Sequence, residues 1–413
     1  QALYEEVPML PYACQHGYRK KDTHAGTTRK GIGNGKIKQG ATMKILLIGE
    51  YSNVHNTLAH GLRELGHTVT VISNGDFWKN YPRDIDVSRR PGKLGGMLLL
   101  AKIYALLPRM RGYDIVQFIN PLFFELKAKR LYRIFKYLKR HNQKTVLGGY
   151  GMDAYWAYVC SKDMPLRYSD FNIGKELRQN EEAIAEREDW IGTDKGRLNL
   201  LMADQCDGIV TGLYEYWRCY EPFFPEKTTF IPFPIVIGKE PDIPQETPEK
   251  LNLFIGISKN RSAYKGTDIM LRAAEKVKKD FPDKLNLKVV TGLPFDEYVR
   301  TMMGSDAIMD QLYSYTPSMN PLEAMNHGVI CIGGGEPENY EILEETTLKP
   351  IINVLPTYES CVEELTKLVT DLSRIPQLRR ESYAYVRKHH DHIKVAKQYI
   401  TFYESLFSKP KKR

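Results

Sequence analysis

The chain has 413 residues, of which 42% are hydrophobic and 26% charged, and its formal net charge is +9. This length is enough for two domains of ordinary size, and the composition is that of a soluble globular protein. No apolar run reaches the roughly 18 residues that indicate a transmembrane helix, and we find no signal peptide at residue 1 or after Met43. The six scattered cysteines include no CxxC pair, which argues against a zinc site or a disulfide framework and favours a reducing cytoplasm.

Residues 1–42 differ from the rest of the chain. They are polar and glycine-rich, they lack helical or strand periodicity, and they end just before Met43. We therefore expect a non-native or disordered extension, read from upstream or added to the chain, with Met43 as the natural start.

The segment after Met43 alternates between apolar strands and amphipathic helices. Residues 44–48 form the continuous apolar run of a buried strand, 57–65 has helical spacing, and 67–72 predicts the next strand. Further strands are predicted at 114–119, 144–147 and 207–210, the last of this half, with a basic helix at 124–140. Strands that alternate with helices favour a parallel sheet covered on both faces.

The stretch 222–248 is dense in proline and polar residues, so we interpret it as an interdomain linker, with 230–235 as the approach to a hinge. The strand and helix pattern then starts again. The predicted strands are 252–257, 287–290, 307–309, 329–332 and 350–354, and the predicted helices are 266–279, 295–303, 359–374, 376–387 and 393–407. The fold class is therefore α/β, with two tandem Rossmann-like doubly wound domains, 43–232 and 233–392, and an active site in the cleft between them.

The positive charge is concentrated in the first half of the chain. Residues 89–144 contain fourteen lysines and arginines against two acids, Asp114 and Glu125. Such a region is either a solvated helix face or a surface that attracts an anion, such as a membrane or a lipid diphosphate.

The stretch 305–341 combines two features that suit an anionic ligand. A loop rich in proline and serine leads into a helix predicted at 321–326, and a short strand then opens into a glycine turn at 333–335. A helix N-terminus favours anions, and a glycine turn lets a ligand approach backbone N–H groups. A nucleotide diphosphate needs both features.

Two further groups of residues point to the same ligand. Lys259, Arg261 and Lys265 lie on a loop between a predicted strand and a helix, where they form either a phosphate site or a solvated basic loop. Glu323, in the first turn of the helix predicted at 321–326, either complements the helix dipole or accepts hydrogen bonds from two ribose hydroxyls.

Taken in order, these motifs resemble a known family. Arg-x-x-x-Lys-Gly at 261–266 is followed by Gly-Leu-Pro at 292–294, Ser-Asp at 305–306, Pro-Leu-Glu-Ala-Met at 321–325 and Gly-Gly-x-Pro-Glu at 334–338. This order is similar to that of the nucleotide-sugar domain in retaining glycosyltransferases with the GT-B fold, family 4 (glycosyl transferases group 1). The resemblance covers about 43–408 in architecture and is sharp over about 252–345. The last helix, about 393–408, resembles one that packs back on the first domain.

The resemblance implies roles at the donor. Arg261 and Lys265 match the catalytic cations that hold the donor diphosphate and stabilise the leaving group. Glu323 matches the second Glu of the E-x7-E motif, which holds the nucleotide ribose. Lys259 would share the phosphate role, because the spacing from arginine to lysine is one residue shorter than usual. The remaining residues that the resemblance places at the donor are Leu322, Ala324, Asn320, Met319, Ser318 and Gly292.

The resemblance also implies an acceptor side. The loop 49–56 matches the glycine-rich loop that faces the diphosphate and the acceptor, and Ser52, Asn53 and His55 are its candidate acceptor contacts. A lone histidine on a loop is more often structural or solvated. Asp153 either orients an acceptor hydroxyl or caps a helix.

Two tyrosines depart from the family pattern. Tyr315 occupies the position of a Glu that contacts donor-sugar hydroxyls, and Tyr150 occupies a position near the reacting sugar where the family often has His. We keep Tyr315 as a donor contact and Tyr150 as a catalytic candidate, because a phenol can still hydrogen-bond a sugar hydroxyl. The aromatic side chains of Tyr150, Tyr155, Trp156 and Tyr158 either stack on sugar rings or pack in the core.

The function that the resemblance implies is transfer of a sugar from a nucleotide sugar to a glycan or lipid-linked acceptor, with retention, in bacterial surface polysaccharide assembly. We expect no cofactor and no metal, no nucleic-acid partner, and a cytoplasmic enzyme at the inner face of the membrane. Two alternatives stay open: a GT-B-like phosphorylase or nucleotide-sugar epimerase, although no pyridoxal-phosphate lysine motif is present, and a catalytically inactive sugar-nucleotide-binding protein.

Overall fold

A computed structural model gives the structure of the protein and describes residues 40–257 and 261–408. The described residues form two α/β domains, each built on a parallel sheet with helices packed against it. Almost all of the predicted extension 1–42, together with Lys259, lies outside the described residues.

The first domain is built on a seven-stranded sheet with the order β3-β2-β1-β4-β5-β8-β9, in which all neighbours are parallel. Its strands are β1 Lys44–Ile48, β2 Thr68–Ser73, β3 Ile85–Asp86, β4 Ile115–Phe118, β5 Lys144–Gly149, β8 Gly208–Thr211 and β9 Thr228–Phe230. Its helices are α1 Val54–Glu64, α2 Gly92–Leu106, α3 Ala128–His141, α4 Ala154–Lys162, α5 Glu181–Trp190, α6 Asp194–Gln205 and α7 Tyr214–Tyr220. A small antiparallel hairpin, β6 Asn172–Ile173 and β7 Glu176–Leu177, lies between α4 and α5.

The second domain is built on a four-stranded parallel sheet with the order β11-β10-β12-β13. Its strands are β10 Leu251–Gly256, β11 Leu285–Val290, β12 Ala307–Met309 and β13 Ile330–Ile332. The helices of this half are α8 Ser262–Lys265, α9 Thr267–Asp280, α10 Phe295–Met303, α11 Met319–Asn326, α12 Pro337–Ile342, α13 Tyr358–Thr370, α14 Ile375–His389 and α15 His392–Ser408. The two sheets confirm the predicted fold class of two Rossmann-like domains.

The apolar pattern explains which elements form. β1 lies in the interior of its sheet with neighbours on both sides, and Ile45, Leu46, Leu47 and Ile48 are all fully buried, so its apolar run is continuous. In α3 the buried side chains recur every three or four residues, while its lysines and arginines lie on the opposite face. Most of the concentrated positive charge is therefore on the surface of the first domain.

Several predicted elements were wrong or incomplete. The strand at 207–210 is not the last of its half, because Thr228–Phe230 pairs beside it as the edge strand. The predicted strand at 350–354 contributes only a single bridge between Ile332 and Ile352. The basic helix begins at Ala128 rather than at 124, because Phe123 and Phe124 are buried in the preceding loop.

The chain crosses between the domains twice, and the two crossings meet. The backbone N–H of Ile235 donates to His390 O at 2.6 Å, and the N–H of His392 donates to Ile235 O at 3.0 Å. The final helix α15 then packs on the first domain, where Tyr403 Oη donates to Gln117 Oε1 at 2.8 Å. The predicted return of this helix is therefore seen in the structure. The predicted boundary at 232/233 falls between the last strand of the first sheet and β10.

Replacing Gly61 with alanine tests how tightly α15 packs on α1. A Cβ at Gly61 would lie 2.3 Å from His392 O, a backbone atom that cannot move without displacing α15. We expect G61A to lower the free energy of unfolding by about 1–3 kcal/mol, the usual cost of overpacking. Urea unfolding measures this loss, and His60→Ala, an exposed neighbour on the same helix, is the control. Equal stability of G61A and wild type would contradict the packing.

Candidate functional site

Loops from both domains meet across the interdomain cleft. On one side, the rings of Trp78 and Tyr81 each lie 5.6 Å from the ring of Phe295 in α10. On the other side, Arg178 donates to the carbonyl oxygens of Ala263 and Tyr264 in α8. Burial raises the pKa of Tyr81, and nearby carboxylates, Glu50 and Glu323 among them, raise it further, so acidic groups of both domains face this phenol.

The predicted phosphate loop forms a short helix at the carboxyl end of β10. Arg261 precedes α8, Lys265 ends it, and Gly266 then adopts a φ of +75° before α9 begins. Glycine is required here because a Cβ would also lie 2.6 Å from Leu312 Cβ. The carbonyl of Lys265 accepts from Leu312 N at 2.9 Å, which fixes α8 against the loop after β12.

Arg261 faces the first domain. Its guanidinium carbon lies 4.7 Å from the centre of the Tyr264 ring. It lines a cavity of about 360 Å³ together with three carboxylates of α5, Glu182, Glu186 and Asp189. Burial raises the pKa of Glu186, and Arg261 opposes this shift. Carboxylates of the other domain therefore balance the charge of Arg261.

Lys265 has a different acidic neighbour. Its Nζ lies 3.7 Å from Asp310 Oδ1, which also accepts from Asn320 Nδ2 at 3.0 Å. Asn320 Nδ2 donates in addition to Tyr298 Oη at 3.1 Å. The structure thus brings together Lys265 and Asn320, two predicted donor residues. Asp310, which joins them, was missed, although its position directly after β12 at the carboxyl edge of the sheet was a usable signal.

Glu323 lies one turn later in its helix than predicted. α11 begins at Met319 rather than at Pro321, so Glu323 is outside the first turn, which holds no acidic residue. Its carboxylate is 39% exposed, and its Oε1 lies 3.4 Å from His327 Nε2. A role in complementing the helix dipole is weakened by this shift, because the dipole effect is confined to the first turn. The ribose role stays a prediction.

The other predicted donor residues of α11 are mostly in the core. Leu322 and Ala324 are fully buried and Met319 is 7% exposed, while Ser318 is the residue before the helix. Only backbone atoms of the buried residues could reach a phosphate, which is the contact the resemblance implies. Gly292 has a φ of +69° and open space where a Cβ would lie.

Two of the three N–H groups of the glycine turn at 333–335 are used within the protein, as is the next one along the chain. The N–H of Gly333 donates to Ile352 O, that of Gly335 to Asn353 Oδ1, and that of Glu336 to Tyr315 O. A Cβ at Gly334 would lie 3.0 Å from the carbonyl carbon of Thr316. Packing against neighbouring loops therefore accounts for these contacts, and a ligand at the turn stays a prediction.

Tyr315 is part of the interface between the domains. It is 1% exposed, and its ring lies 4.8 Å from that of Tyr168 and 5.9 Å from that of Tyr214 in the first domain. Its hydroxyl accepts from the N–H of Arg167 at 2.7 Å. This burial argues against the predicted donor-sugar contact, because the first domain occupies the space around the ring.

The first-domain side of the cleft contains a buried carboxyl group that sequence reasoning missed. Glu50 directly follows β1 and Gly49, and its two oxygens accept from the N–H groups of His55 at 3.2 Å and Asn56 at 2.8 Å. Burial raises its pKa to about 8 despite these bonds. The signal was present in the sequence, as an acid between a strand end and a helix.

His55 and Tyr150 are core residues rather than surface contacts. His55 is fully buried, with Nδ1 2.8 Å from Gly49 O, and burial lowers its pKa to about 3. Tyr150 is 6% exposed, and its hydroxyl lies 2.5 Å from that of Tyr399 in α15. The structure therefore favours the structural interpretation of His55, and it directs the Tyr150 phenol towards α15.

Asp153 caps α4. Its Oδ1 accepts from Trp156 N at 2.9 Å and its Oδ2 from Tyr220 Oη at 2.6 Å, so the helix-cap alternative is confirmed. Tyr155 and Trp156 are each 3% exposed in the core. Core packing therefore explains these two aromatic rings. Burial raises the pKa of the Asp153 carboxyl group to about 6.

Ser52 and Asn53 remain at the cleft edge in strained backbone conformations. Their φ angles are +50° and +72°, in the left-handed region. The N–H of Ser52 donates to Asp76 Oδ2 at 2.8 Å, and Asn53 Oδ1 accepts from Asn56 Nδ2 at 2.9 Å. Both stay candidate acceptor contacts.

The residues that flank the hairpin β6–β7 make several polar contacts to the second domain. Arg167 donates to Glu336 at 2.6 Å and also pairs with Glu338, and Tyr168 Oη donates to Glu336 Oε1. Asp170 Oδ2 accepts from Tyr264 Oη at 2.7 Å. No sequence motif indicated this segment, which contacts both the phosphate loop and the glycine turn.

The described residues contain no group of three or more His, Cys, Asp or Glu side chains that could hold a metal ion. Across 40–257 and 261–408, no helix is both long enough and apolar enough to cross a membrane. The five cysteines in these ranges are buried and free.

Solved structures share this fold. A crystal structure of HepE from Anabaena in complex with UDP-glucose has a TM-score of 0.55 at 13% identity and covers 89% of this chain and 100% of its own. Sucrose-phosphate synthase from Thermosynechococcus elongatus has a TM-score of 0.54 at 12% identity, and the match covers 88% of this chain and 99% of the synthase chain. A Listeria monocytogenes protein provisionally named a UDP-N-acetylglucosamine 2-epimerase has a TM-score of 0.51 at 12% identity. This match covers 90% of this chain and 98% of the Listeria chain. The chain therefore has the GT-B fold.

Sequence comparisons give nothing closer. The sequence matches no protein-family model and no curated protein.

Replacing Glu50 with glutamine tests the buried carboxyl group. The pKa of Glu50 is about 8 in the folded chain and about 4.5 in the unfolded chain. Between these two pH values the carboxyl group is protonated in the folded chain and ionised in the unfolded chain. Glu50 therefore lowers stability as pH rises between these two values, by up to ~1.4 kcal/mol per pH unit, and the stability of wild type relative to E50Q should fall by that amount while the other titrating groups cancel. Urea unfolding between about pH 5 and 7.5 measures it, with the exposed Glu188→Gln as control. Parallel curves for wild type and E50Q would contradict the pKa.

Proposed function

We propose that the protein is a glycosyltransferase that transfers a sugar from a nucleotide-sugar donor to a glycan or lipid-linked acceptor with retention of configuration. The observation that carries the proposal is the cluster of Lys265, Asp310 and Asn320 at the carboxyl edge of the second sheet, beside Arg261 and within the GT-B fold. In open α/β sheets, ligands bind at this edge. Structures of this fold include one that holds UDP-glucose, which supports a nucleotide sugar as the donor.

The proposed chemistry is mainly electrostatic. As the bond between the anomeric carbon and the phosphate oxygen breaks, negative charge grows on the diphosphate, where Arg261 and Lys265 would stabilise it. The acceptor oxygen bonds to the anomeric carbon on the same face, and its proton passes to the departing phosphate oxygen. Glu323 would accept hydrogen bonds from the ribose hydroxyls. The two cations make a metal ion unnecessary in this scheme.

Donor binding would change the partners of both cations. In the structure Arg261 faces the carboxylates of α5, and Lys265 Nζ lies 3.7 Å from Asp310 Oδ1. A diphosphate carries more negative charge than one carboxylate and accepts several charge-assisted hydrogen bonds. We propose that it draws both side chains towards one ligand, and that the α5 carboxylates hold Arg261 in place until the donor arrives.

The acceptor side is proposed to lie near a membrane, as expected for bacterial surface polysaccharide assembly. The lysines and arginines of α3 are on its exposed face, and α2 carries Lys93 in its first turn and follows Arg89 and Arg90. Such a surface is attracted to anionic lipids, at about 1 kcal/mol for each basic residue near the bilayer. We therefore propose a cytoplasmic protein peripheral to the inner face of the membrane.

A catalytically inactive sugar-nucleotide-binding protein is the second candidate. The burial of Tyr315 between the domains favours it, because no carboxylate replaces the Glu that this position would hold. Nucleotide-sugar epimerisation is the third candidate, because the fold is similar to that of a protein provisionally named an epimerase. Donor turnover separates the three: transfer supports the main proposal, isomerisation without acceptor the epimerase, and tight binding without turnover the inactive protein.

Alanine at Lys265 and at Arg261 tests the donor site. We expect each of K265A and R261A to weaken binding of a nucleoside diphosphate by about tenfold to a hundredfold, since a hydrogen bond to a charged group contributes about 1.5–3 kcal/mol. Isothermal titration calorimetry measures the affinity. Lys279→Ala, an exposed lysine on α9, is the matched control and should bind like wild type. Unchanged affinity in K265A and R261A would remove these residues from the site.

A nucleotide-sugar screen identifies the donor. UDP-, GDP-, ADP- and CMP-sugars are added to the purified chain, and the unfolding temperature is recorded. The true donor should raise it, because a ligand at about 100 times its Kd stabilises the folded state by about 2.7 kcal/mol. If no nucleotide or nucleotide sugar stabilises the protein, the transferase proposal fails.

A further inference from the structure

The first domain contains a large apolar pocket outside the predicted donor site. Its volume is about 710 Å³, within the range of small-molecule sites. It lies between α2, the loop after β2 and the loop after β4. Its apolar lining includes Phe77, Val87, Met97, Leu100, Leu122 and Phe123.

The same pocket carries a cluster of cations at the surface. Arg89, Lys93, Lys127, Arg130 and Lys195 all line it, against two carboxylates. One of these, Glu50, is buried, and the other, Glu125, accepts from Asn74 Nδ2 at 3.0 Å. Arg89, Lys93, Lys127 and Arg130 are exposed. An apolar cavity with an excess of surface cations is complementary to an amphiphile that has an anionic head.

One wall of the pocket is an unusually exposed apolar helix. Of the 15 residues of α2, only Gly95, Leu99 and Ile103 are buried. Leu94 is 64% exposed, Met97 61% and Leu98 48%. Apolar side chains flanked by basic residues are typical of helices that lie in a membrane interface. The wall of the pocket would then open directly onto lipid.

The inner end of the pocket reaches the cleft. Gly49, Glu50 and Tyr51, which follow β1 at the carboxyl edge of the first sheet, belong to its lining. Ser52 and Asn53, the candidate acceptor contacts, come next in the chain. A molecule in the pocket can therefore present one end to the proposed reaction site while its chain lies against α2.

We infer that the acceptor is a lipid phosphate drawn from the membrane, with a single apolar chain in this pocket and its phosphate against Arg89 and Lys93. A hydroxyl of the head group attached to that phosphate reaches the cleft beside Gly49 and Glu50, bonds to the anomeric carbon and gives its proton to the departing phosphate oxygen of the donor. The inference rests on the proposed function, because a lipid in this pocket is an acceptor only in a protein that transfers a sugar. The pocket, its cations and the exposed face of α2 carry the choice of a lipid over a soluble glycan.

Binding of simple amphiphiles to the full-length protein tests the inference. Dodecyl phosphate, below its micelle concentration, should bind at one saturable site by titration calorimetry. Affinity should rise about fourfold for each CH₂ added along a series of alkyl phosphates, the effect of about 0.8 kcal/mol per buried CH₂. Dodecanol should bind at least about tenfold more weakly, and inorganic phosphate should not bind measurably. Equal binding of dodecanol and dodecyl phosphate, or no saturable site, overturns the inference.

Matched variants on α2 place the site. Leu100→Trp, which fills the pocket, should weaken dodecyl phosphate at least about tenfold, whereas Leu98→Trp, exposed on the same helix and outside the lining, should not. Lys93→Glu should weaken dodecyl phosphate binding in the same way, and Lys102→Glu, outside the lining, should not. This second pair keeps the test valid if L100W fails to fold. Equal effects of the two substitutions within either pair overturn the inference. So does a protein that binds anionic vesicles but does not bind dodecyl phosphate.

The two proposals fail in different ways. K265A should lose nucleotide affinity and keep dodecyl phosphate affinity. Donor binding and transfer to a soluble glycan, without pocket-dependent amphiphile binding, would leave the proposed function standing and overturn the lipid acceptor. Pocket-dependent amphiphile binding without any nucleotide binding would overturn the proposed function, and with it the role of the lipid as an acceptor.

Discussion

The carboxylate of Glu215 belongs to the first domain, but most of its side-chain hydrogen-bond partners belong to the second. It is 5% exposed, and it accepts from Ser314 Oγ at 2.9 Å and Thr316 Oγ1 at 2.6 Å. A buried carboxylate without partners is costly, so the loop of residues 314–316 has to dock for this charge to be satisfied. That loop connects Asp310 to the start of α11. The position of the donor half of the cleft is therefore set by a charge in the other half.

Charges in the cleft follow the same division between the domains. Arg261 of the second domain faces α5 of the first, and Arg167 of the first domain pairs with Glu336 and Glu338 of the second. Each contact places a charge opposite its counterpart from the other domain, and the contact of Arg261 lies in the proposed donor site. Domain docking and ligand binding consequently draw on the same side chains, so a ligand that takes Arg261 also alters the interface.

The fold was largely predictable and the site only in part. The strand at 307–309 was predicted to the residue, because a buried parallel strand reads as a continuous apolar run. Tyr315 was misplaced because the rings around it, Tyr168 and Tyr214, are more than 100 positions away and no local pattern links them. The glycine turn stays ambiguous for a related reason. Glycine marks close approach of other atoms, and the sequence does not say whether those atoms belong to a ligand or to the protein.

The two chain crossings have a mechanical consequence. Ile235 is bonded to both His390 and His392, so the strands of chain that join the domains are tied together at one place. Relative motion of the domains is then restricted to rotation about that pivot, with displacements that grow with distance from it. Stiffening the pivot would slow exchange of ligands without touching any residue that binds them. In the proposed transferase, the speed of ligand exchange could thus be tuned at a site that has no chemistry of its own.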